Sequence, residues 1–550
     1  MWIFRAVALD LDGTLATRER VADDVLAALD ETHEARSLVL VTGRTMEELD
    51  RVFPSLAGHF DAVVTENGGV LRCGGHRRVL QDPVDPALDR ELADRGVSCR
   101  RGEVLLALDG ADAAEAAEAL AVLGLDHHMV RNRYAAMVLP AGVTKGTGLQ
   151  AALAELGLSA HNTIAVGDAE NDLSMLRAAE VGIAVPDAVP GVAAHADLVL
   201  RHGNGEGVLE LLRSPLLRGH GRLCPPRRRI GIGCFDDGQP VLVPAAQASV
   251  LITGDTGAGK SFLAGLLAER WIRAGYSVLV VDPEGDHVGL AEQAGVHLVE
   301  AAVGLPAPHE LMALMRPRQT SLVLDLSGMS TDEQLDYLRR IPDAVAAQRS
   351  RYGFPHWVIY DEAQMHAWLG EAGASRAAVP EAGTCLVTWQ PELLPAALVR
   401  GFQVQLAVHA GQGGRAGPLR AALNTLEGSR EFQVGRRESP HVRHWHKYAA
   451  TPLPATRRFW FHPAEAGAPQ QVAASVDEFC RLVRHCAPET LDFHLARHDF
   501  SRWVNGTLSD QQLGAELADI ERDHAARHAA SLERVRQQVS DVIERRYQER

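Results

Sequence analysis

Lysine is scarce in this sequence: only three of the 55 Lys and Arg residues are lysine, and the others are arginine. This bias indicates that lysine has been replaced by arginine wherever the protein tolerates the exchange. A compact ammonium and a planar guanidinium are not equivalent beside a phosphate, so a lysine that remains needs a reason. The three lysines, Lys145, Lys260 and Lys447, therefore serve as a test of motifs found on other grounds.

Paired cysteines and long hydrophobic runs are also missing. None of the seven cysteines falls in a Cys-x-x-Cys pair, which favours reduced thiols and a cytoplasmic protein. The sequence has no basic segment followed by an apolar run at its start and no stretch of eighteen uncharged apolar residues, so we expect no membrane partner. A net charge of −16 disfavours binding to nucleic acid except through a local basic patch.

The chain is long enough for several folded units. At roughly 150 residues per domain, its length indicates three or four units. Strand-sized apolar runs alternate with amphipathic segments, which predicts an α/β protein with two doubly wound sheets. The expected division is 1–212 for a first domain with an α+β insertion at about 75–140, 213–228 for a linker, 229–462 for a second domain and 473–550 for a helical carboxyl-terminal region.

Polar residues follow the predicted strands of the first domain. Asp10 and Asp12 come directly after an apolar run, where open α/β sheets bind their ligands. In isolation, such a pair is equally compatible with capping a turn or helix. Four further polar residues follow in chain order, and they make a catalytic centre the favoured interpretation: Thr42, Lys145, Asp168 and Asp172.

These motifs resemble those of the haloacid dehalogenase superfamily over roughly residues 1–212. The matching segments are Asp10-Leu11-Asp12-Gly13-Thr14, Thr42-Gly43-Arg44, Lys145-Gly146 and Gly167-Asp168-Ala169-Glu170-Asn171-Asp172. The segment Thr65-Glu66-Asn67-Gly68, together with the insertion, is similar to the Cof-like sugar-phosphatase branch. The resemblance implies a Rossmann-like core with an α+β cap that selects a small phosphorylated substrate, such as a sugar phosphate.

The same resemblance implies the chemistry of the site. Asp10 is the implied nucleophile that forms an aspartyl-phosphate, and Asp12 is the implied general acid and then base. Thr42 would bind phosphoryl oxygens and Lys145 would neutralise charge. The implied Mg²⁺ ligands are Asp10, Asp12, Asp168 and Asp172. Because Asp12 can protonate an ester leaving group, a phosphatase is favoured over a dehalogenase.

A second motif begins the second domain. An apolar run precedes it and a helical segment follows it, which is the context of a P-loop that binds ATP. Its glycines let backbone N–H groups approach phosphates, its lysine reaches the β- and γ-phosphates, and its serine binds Mg²⁺. The eight residues are Gly254, Asp255, Thr256, Gly257, Ala258, Gly259, Lys260 and Ser261.

Later strands of the second domain end in residues suited to ATP hydrolysis. Asp361 is placed to hold Mg²⁺, and Glu362 to orient a water molecule, which a kinase does not need. Gln390 follows a further apolar run, as γ-phosphate-sensing residues do. With Val281-Asp282-Pro283-Glu284-Gly285-Asp286, these residues resemble the HerA/FtsK class of RecA-like ATPases over roughly residues 228–462.

Two departures from that class weaken the expectation of DNA translocation. Gln364 stands where a histidine is frequent, and no room precedes the P-loop for the barrel of HerA helicases. The class implies a homo-oligomer in which a neighbouring subunit supplies an arginine, with Arg349, Arg351 and Arg400 as candidates. Lys447 is a further predicted nucleotide-binding residue, on the lysine argument alone, against the plainer interpretation of a surface lysine.

Three functions stay open at this point. The favoured one joins a metabolite phosphatase to an ATPase that regulates it or drives assembly. The second is a nucleic-acid machine, in processing or defence, that combines a DNA-stimulated motor with an end phosphatase. The third treats the P-loop domain as a nucleotide sensor with little turnover. Stimulation of ATP hydrolysis by DNA or RNA distinguishes the second from the others.

Overall fold

The computed structural model describes residues 4–132, 135–219, 221–255, 257–316, 320–365, 380–409, 419–425, 428–439, 453, 458–462, 470–508, 511–526 and 532–547. None of the helices in these ranges has the length and apolar character that a membrane crossing needs.

The amino-terminal domain is built on an eight-stranded sheet. Its elements are, in chain order, β1 (Ala6–Leu9), α1 (Asp23–His33), β2 (Ser37–Val41), α2 (Met46–Val52), β3 (Ala62–Thr65), β4 (Val70–Cys73), β5 (His76–Val79), α3 (Pro86–Asp94), β6 (Cys99–Arg101), β7 (Leu106–Asp109), α4 (Ala113–Leu123), β8 (His127–Asn132), β9 (Ala135–Pro140), α5 (Lys145–Glu155), β10 (Thr163–Gly167), α6 (Leu173–Ala178), β11 (Val181–Ala184), α7 (Pro190–Ala193), β12 (Leu198–Val199) and α8 (Asn204–Leu212).

The order of strands in this sheet is β12-β11-β10-β1-β2-β3-β4-β5. The first six in this order are parallel, while β4 and β5 extend the sheet as antiparallel strands. Apolar clusters cover both faces, which explains why the central strands read as uninterrupted apolar runs. Polar residues that follow β1, β2 and β10 therefore meet at one edge of the sheet.

The insertion forms a separate α+β cap. Its antiparallel sheet has the order β6-β7-β9-β8, and α3 and α4 pack on one face of it around residues such as Leu92 and Val138. The predicted boundary needs one correction, because β5 pairs with β4 in the core sheet. The cap therefore begins after Val79 rather than at about residue 75.

The second domain is built on an eleven-stranded sheet. Its elements are, in chain order, β13 (Arg229–Phe235), β14 (Pro240–Pro244), β15 (Ser249–Thr253), α9 (Lys260–Arg273), β16 (Val278–Asp282), β17 (Val296–Glu300), α10 (Pro308–Leu314), β18 (Ser321–Asp325), α11 (Thr331–Leu338), α12 (Ile341–Tyr352), β19 (Trp357–Tyr360), β20 (Thr384–Thr388), α13 (Ala396–Gly401), β21 (Val404–His409), β22 (Arg420–Thr425) and β23 (Gly428–Val434).

The strand order of this sheet is β14-β13-β23-β22-β21-β15-β20-β19-β16-β18-β17. The seven strands from β21 to β17 are parallel, and the other four are antiparallel. Strand β20 lies between β15 and β19. This order brings the P-loop and the ends of β19 and β20 to one edge.

The carboxyl-terminal module is mainly helical. Its elements are β24 (Phe459–Trp460), β25 (Val472–Ala473), α14 (Val476–His485), α15 (Pro488–Ala496), α16 (Asp499–Trp503), α17 (Gln511–Ala526) and α18 (Leu532–Arg546). Phe459 and Phe461 belong to the apolar core of this module, and β24 pairs with β25. Residues 458–462 therefore pack with the helical module rather than with the second domain, to which the sequence assigned them.

Candidate active sites

An acidic centre lies at the carboxyl-terminal edge of the first sheet. Asp10 follows β1 and Asp168 follows β10, and these two strands are paired neighbours. The carboxylate oxygens of Asp10, Asp168 and Asp172 lie within 4.8 Å of one another, and all three residues are buried. Asp172 also accepts hydrogen bonds from the N–H groups of Asp168 and Ala169, at 2.9 and 3.0 Å.

Lys145 is the cation of this centre. It is the first residue of α5 and is buried, with its Nζ atom 2.5 Å from Oδ1 of Asp10 and 2.6 Å from Oδ1 of Asp172. Burial alone lowers the pKa of Lys145, but Asp10 and Asp172 outweigh that effect and raise it. The lysine is therefore charged.

Lys145 contacts two of the three clustered carboxylates, those of Asp10 and Asp172, so the carboxylates of the cluster outnumber its ammonium. Burial raises the pKa of Asp10 well above its ordinary value, and the charge of Asp172 raises it further, against the effect of Lys145. Carboxylate oxygens are the donors that Mg²⁺ prefers. The donor set and its excess charge therefore fit a divalent cation, with Asp10, Asp168 and Asp172 as the residues that would hold it.

The predicted ligand Asp12 has a different environment. Its carboxylate is not among the three that converge, and both of its oxygens accept hydrogen bonds from Arg44, at 2.7 Å each. Arg44 follows Thr42 at the end of β2, and the Thr42 hydroxyl accepts a hydrogen bond from the Arg44 N–H at 3.2 Å. The structure thus places Asp12 and Thr42 beside the acidic centre, with Asp12 held by an arginine whose contact the sequence did not predict.

Glu66 connects the cap to the core. This buried carboxylate accepts hydrogen bonds from the backbone N–H groups of Glu103, Val104 and Leu105, at 3.0, 2.7 and 3.0 Å. A Cβ atom at Gly102 would meet the Glu66 carboxylate at 2.5 Å, so the segment approaches as closely as a glycine allows. No local sequence signal identifies this contact, because its two sides are far apart in the chain.

The P-loop connects β15 to α9. Gly257 and Gly259 have φ values of 73° and 103°, which glycine adopts readily. Lys260 donates a hydrogen bond to the backbone carbonyl of Asp255 at 3.1 Å, and Ser261 is buried in the first turn of α9. The described part of the loop therefore joins the strand to the helix as the motif predicts, its phosphate-binding role stays a prediction, and Thr256 lies outside the described residues.

A buried histidine holds the carboxylate at the end of β19. Oδ2 of Asp361 lies 2.8 Å from Nε2 of His287, and Oδ1 accepts a hydrogen bond from the N–H of Glu362 at 2.9 Å. Asp282, at the end of the neighbouring β16, lies close enough to form a second buried cluster with them. Burial lowers the pKa of His287, but Asp361 and Asp282 outweigh it and raise that pKa. His287 is not among the residues predicted from the sequence.

Glu362 is connected to β20 through Gln364. Nε2 of Gln364 donates to Oε2 of Glu362 at 2.5 Å, and the Thr388 hydroxyl donates to Oε1 of Gln364 at 2.8 Å. Strand β20 ends at Thr388. Gln390 lies two residues further on, and its backbone N–H donates to the Thr388 hydroxyl at 3.0 Å. Thr388, rather than the predicted Gln390, is therefore the polar side chain in contact with this network.

The candidate arginines differ in environment. Arg349 is buried and donates to the backbone carbonyls of Pro355, Ala382, His356 and Gly383, so it cannot reach a neighbouring subunit without losing those bonds. Arg351 and Arg400 are exposed. Lys447 lies outside the described residues, and its predicted role stays a prediction.

Two family models match the chain. One, described as a haloacid dehalogenase-like hydrolase, matches residues 104–212. The other, described as the central domain of the helicase HerA, matches residues 235–366. The two matches fall in the two sheet domains and agree with the two resemblances found in the motifs.

Similar proteins cover the amino-terminal domain. A phosphoglycolate phosphatase of Archaeoglobus fulgidus is 31% identical over 220 residues, which is 38% of this chain and 96% of that protein. A phosphoglycolate phosphatase of Methanothermobacter thermautotrophicus is 31% identical over 223 residues, which is 38% of this chain and 97% of that protein. The crystal structure of a haloacid dehalogenase-like hydrolase from Bacteroides thetaiotaomicron gives a TM-score of 0.34 at 20% identity, covering 38% of this chain and 98% of that one.

Proposed function

Since the chain belongs to the haloacid dehalogenase-like hydrolases, matched at residues 104–212 and by relatives aligned over nearly their full length, we propose that its amino-terminal domain is a Mg²⁺-dependent phosphatase of a small phosphorylated metabolite. Sugar phosphates are candidate substrates because the cap and the segment Thr65-Glu66-Asn67-Gly68 resemble those of sugar phosphatases. Phosphoglycolate is a candidate because the similar proteins are named phosphoglycolate phosphatases. The observation that carries the proposal is the convergence of Asp10, Lys145, Asp168 and Asp172.

The proposed first step is attack of Asp10 on phosphorus. A carboxylate oxygen of Asp10 forms a bond to phosphorus while the bond from phosphorus to the leaving oxygen breaks, which gives an aspartyl-phosphate. Asp12 donates a proton to the leaving oxygen, and then removes a proton from the water that hydrolyses the acyl phosphate. Because Arg44 holds both oxygens of Asp12, these transfers require the Asp12 carboxylate to exchange that partner for the leaving group.

Charge neutralisation is the task of the rest of the site. Lys145 holds the Asp10 carboxylate in the orientation for attack and carries a permanent positive charge into the centre. Mg²⁺, when bound by Asp10, Asp168 and Asp172, neutralises phosphoryl charge and aligns the displacement. Thr42 lies at the end of β2 and donates its hydroxyl to a phosphoryl oxygen.

The test is substitution of the nucleophile. Asp10→Asn removes the attacking carboxylate and is expected to abolish Mg²⁺-dependent release of phosphate from p-nitrophenyl phosphate, while ATP turnover by the other domain continues. Asp24→Asn, an exposed aspartate of α1, is the matched control. Phosphatase activity retained in Asp10→Asn would refute the assignment of the nucleophile.

For the second domain we propose ATP hydrolysis in the service of regulation or assembly. Lys260 and Ser261 bind the phosphates and Mg²⁺, Asp361 completes the metal site, and Glu362 orients the water that attacks the γ-phosphate. The match to the HerA central domain supports this assignment. We further propose that the chain forms a homo-oligomer in which Arg351 or Arg400 reaches the nucleotide of the neighbouring subunit. Arg349 is the weaker candidate because it is bonded to backbone carbonyls of its own domain.

A nucleic-acid machine is the second candidate, favoured by the same match, whose description names a helicase. In that case DNA or RNA stimulates ATP turnover and phosphorylated ends are substrates of the phosphatase. The net charge of −16 favours the metabolite phosphatase. ATPase assays with and without single-stranded and duplex DNA, and with RNA, separate the two candidates.

A further inference from the structure

The two catalytic domains meet at the amino-terminal edges of their sheets. On the phosphatase side the contacts come from His161 and Asn162, which precede β10, and from Glu180, which precedes β11. On the ATPase side they come from Tyr276, which precedes β16, and His356, which precedes β19. Both catalytic centres lie at the opposite, carboxyl-terminal edges, so each faces away from the contact.

The first link joins β10 of the phosphatase domain to β19 of the ATPase domain. Nδ1 of His356 accepts a hydrogen bond from the N–H of Ser277 at 2.8 Å, which places the ring proton on Nε2. Nε2 donates to Oδ1 of Asn162 at 3.0 Å, and Nδ2 of Asn162 donates to the carbonyl of Gly353 at 3.1 Å. Asn162 and His356 are 0% and 1% exposed, so these bonds are shielded from water.

A second link surrounds Glu180. Oε2 of this buried carboxylate lies 2.8 Å from Nδ1 of His161 and accepts a hydrogen bond from the Tyr276 hydroxyl at 2.9 Å. The rings of His161 and Tyr276 stack with their centroids 3.8 Å apart. Each residue of this trio is therefore fixed by contact with the other two.

A third link comes from the segment between the domains. The Nη2 atom of Arg227 donates to the carbonyls of Leu176, Ala179 and Glu180, and to Asp197 at 2.7 Å. Arg228 donates to the carbonyl of Ala179 at 2.6 Å. These carbonyls lie at the end of α6, where a helix has unpaired acceptors and favours positive charge. The segment predicted as a plain linker thus caps a helix of the phosphatase.

The linked elements lead directly to the catalytic residues. Strand β10 lies between Asn162 and Asp168, and α6 begins directly after Asp172 and ends at the carbonyls that Arg227 caps. In the other domain, β19 lies between His356 and the pair Asp361 and Glu362. Each element has one end in the interdomain contact and the other in a catalytic centre.

Displacement at a buried polar contact of this kind is costly. A buried donor or acceptor that loses its partner costs about 1–3 kcal/mol. Movement of β19 by an ångström would therefore break the His356 bond or carry Asn162 and β10 with it. Neither Glu180 nor His356 has access to water that would replace a lost partner.

We propose that the contact formed by Asn162, His356, Glu180 and Tyr276 couples the two catalytic centres, so that nucleotide bound at the P-loop changes the geometry of the phosphatase centre through β19, β10 and α6. The proposal rests on the proposed function and specifies its regulation. Because both catalytic centres face away from the contact, we also expect that no substrate passes directly from one centre to the other.

The experiment measures the effect of Mg²⁺ and AMP-PNP on the full-length chain. In the wild type, saturating AMP-PNP is expected to change kcat/KM for p-nitrophenyl phosphate by about fivefold or more, and to change hydrogen exchange of backbone N–H groups in β10 and α6. Tyr276→Phe removes only the hydroxyl that binds Glu180, and Asn162→Ala removes the bonds to His356 and Gly353. Both variants are expected to bind AMP-PNP and to lose most of its effect on the phosphatase.

Tyr337→Phe is the matched control, since its hydroxyl donates to the Pro306 carbonyl within the ATPase domain and away from the contact. It is expected to keep the full AMP-PNP effect. The proposal is overturned if AMP-PNP binds the wild type without changing exchange in β10 and α6, or if both contact variants respond as the wild type does. A wild type that releases no phosphate without nucleotide would instead contradict the proposed phosphatase function. The coupling proposal would still be decided by hydrogen exchange, because that measurement does not depend on activity.

Discussion

The Nζ atom of Lys145 lies 2.5 Å from Oδ1 of Asp10, and both side chains are buried. Asp172 is the second partner of the same ammonium, at 2.6 Å. Removing one partner of a buried ion pair costs about 3–5 kcal/mol, since the remaining charge has no water to solvate it. Lys145 therefore contributes both to catalysis and to the stability of the acidic centre.

We expect Lys145→Met to abolish phosphatase activity and to lower the melting temperature in the absence of divalent cations. Mg²⁺ should restore more stability to this variant than it adds to the wild type, because the three carboxylates then lack any other cation. Thermal unfolding with EDTA and with Mg²⁺ checks this. Lys260→Met in the P-loop is the control, and an equal Mg²⁺ effect in both lysine variants would exclude the acidic centre as the Mg²⁺ site.

Glu66→Gln is expected to loosen the cap. The carboxylate accepts three N–H donors, whereas an amide offers one acceptor oxygen and brings an NH₂ group toward the remaining donors. A buried donor that loses its acceptor costs about 1–3 kcal/mol. We expect KM for p-nitrophenyl phosphate to rise with a smaller change in kcat, which steady-state kinetics measure.

Glu91→Gln, on the outer helix α3 of the cap, removes a partly exposed ion pair with Arg95 and is the control for Glu66. Such pairs contribute about 0–1 kcal/mol, so its kinetics should match the wild type. Unchanged KM in Glu66→Gln would show that the cap position does not depend on this carboxylate.

Gln364→Ala should slow ATP hydrolysis by about 10- to 100-fold with little change in the affinity for ATP, because it releases Glu362 from Thr388 without touching the P-loop. Gln239→Ala in the exposed β13–β14 hairpin is the control. Pre-steady-state and steady-state ATPase assays separate binding from turnover. A lower ATP affinity with normal turnover would instead assign Gln364 to binding.

The stability of the chain should depend on His356 as the pH falls. Burial lowers the pKa of His356 well below its ordinary value, with His161 and Arg349 adding to the effect. Below about pH 6.5 the unfolded chain therefore binds a proton that the folded chain does not, and stability decreases by up to about 1.4 kcal/mol per pH unit. His356→Gln, which keeps a side-chain donor toward Asn162, should unfold with a shallower pH dependence than the wild type between pH 6.5 and 5.

Much of the fold was predictable because the central parallel strands are covered on both faces. Strands β2 (Ser37–Val41) and β3 (Ala62–Thr65), for example, coincide with strand-sized apolar runs of the sequence. The antiparallel strands at the sheet edges were missed, and β5 is an example: all of its residues are exposed and it carries no apolar pattern.

Asp10, Thr42 and Asp168 were predictable for a related reason, since each follows a parallel strand and parallel strands end at one edge. Lys145 instead begins α5. Contacts between distant segments were not predictable from the sequence. Arg44 belongs to the motif Thr42-Gly43-Arg44, yet its pairing with Asp12 depends on how two loops approach each other. His287 was missed because a single histidine beyond a strand has no distinctive spacing.

The arginines that cap α6 bear on how this chain can be divided for study. A fragment that stops at residue 212 loses Arg227 and Arg228, and also Leu217, which belongs to the apolar core of the phosphatase. Such a truncation would expose helix carbonyls and a hydrophobic surface together, and would aggregate for reasons unrelated to catalysis. A fragment extended through residue 228 keeps all three side chains and is the one from which an isolated phosphatase should be expressed.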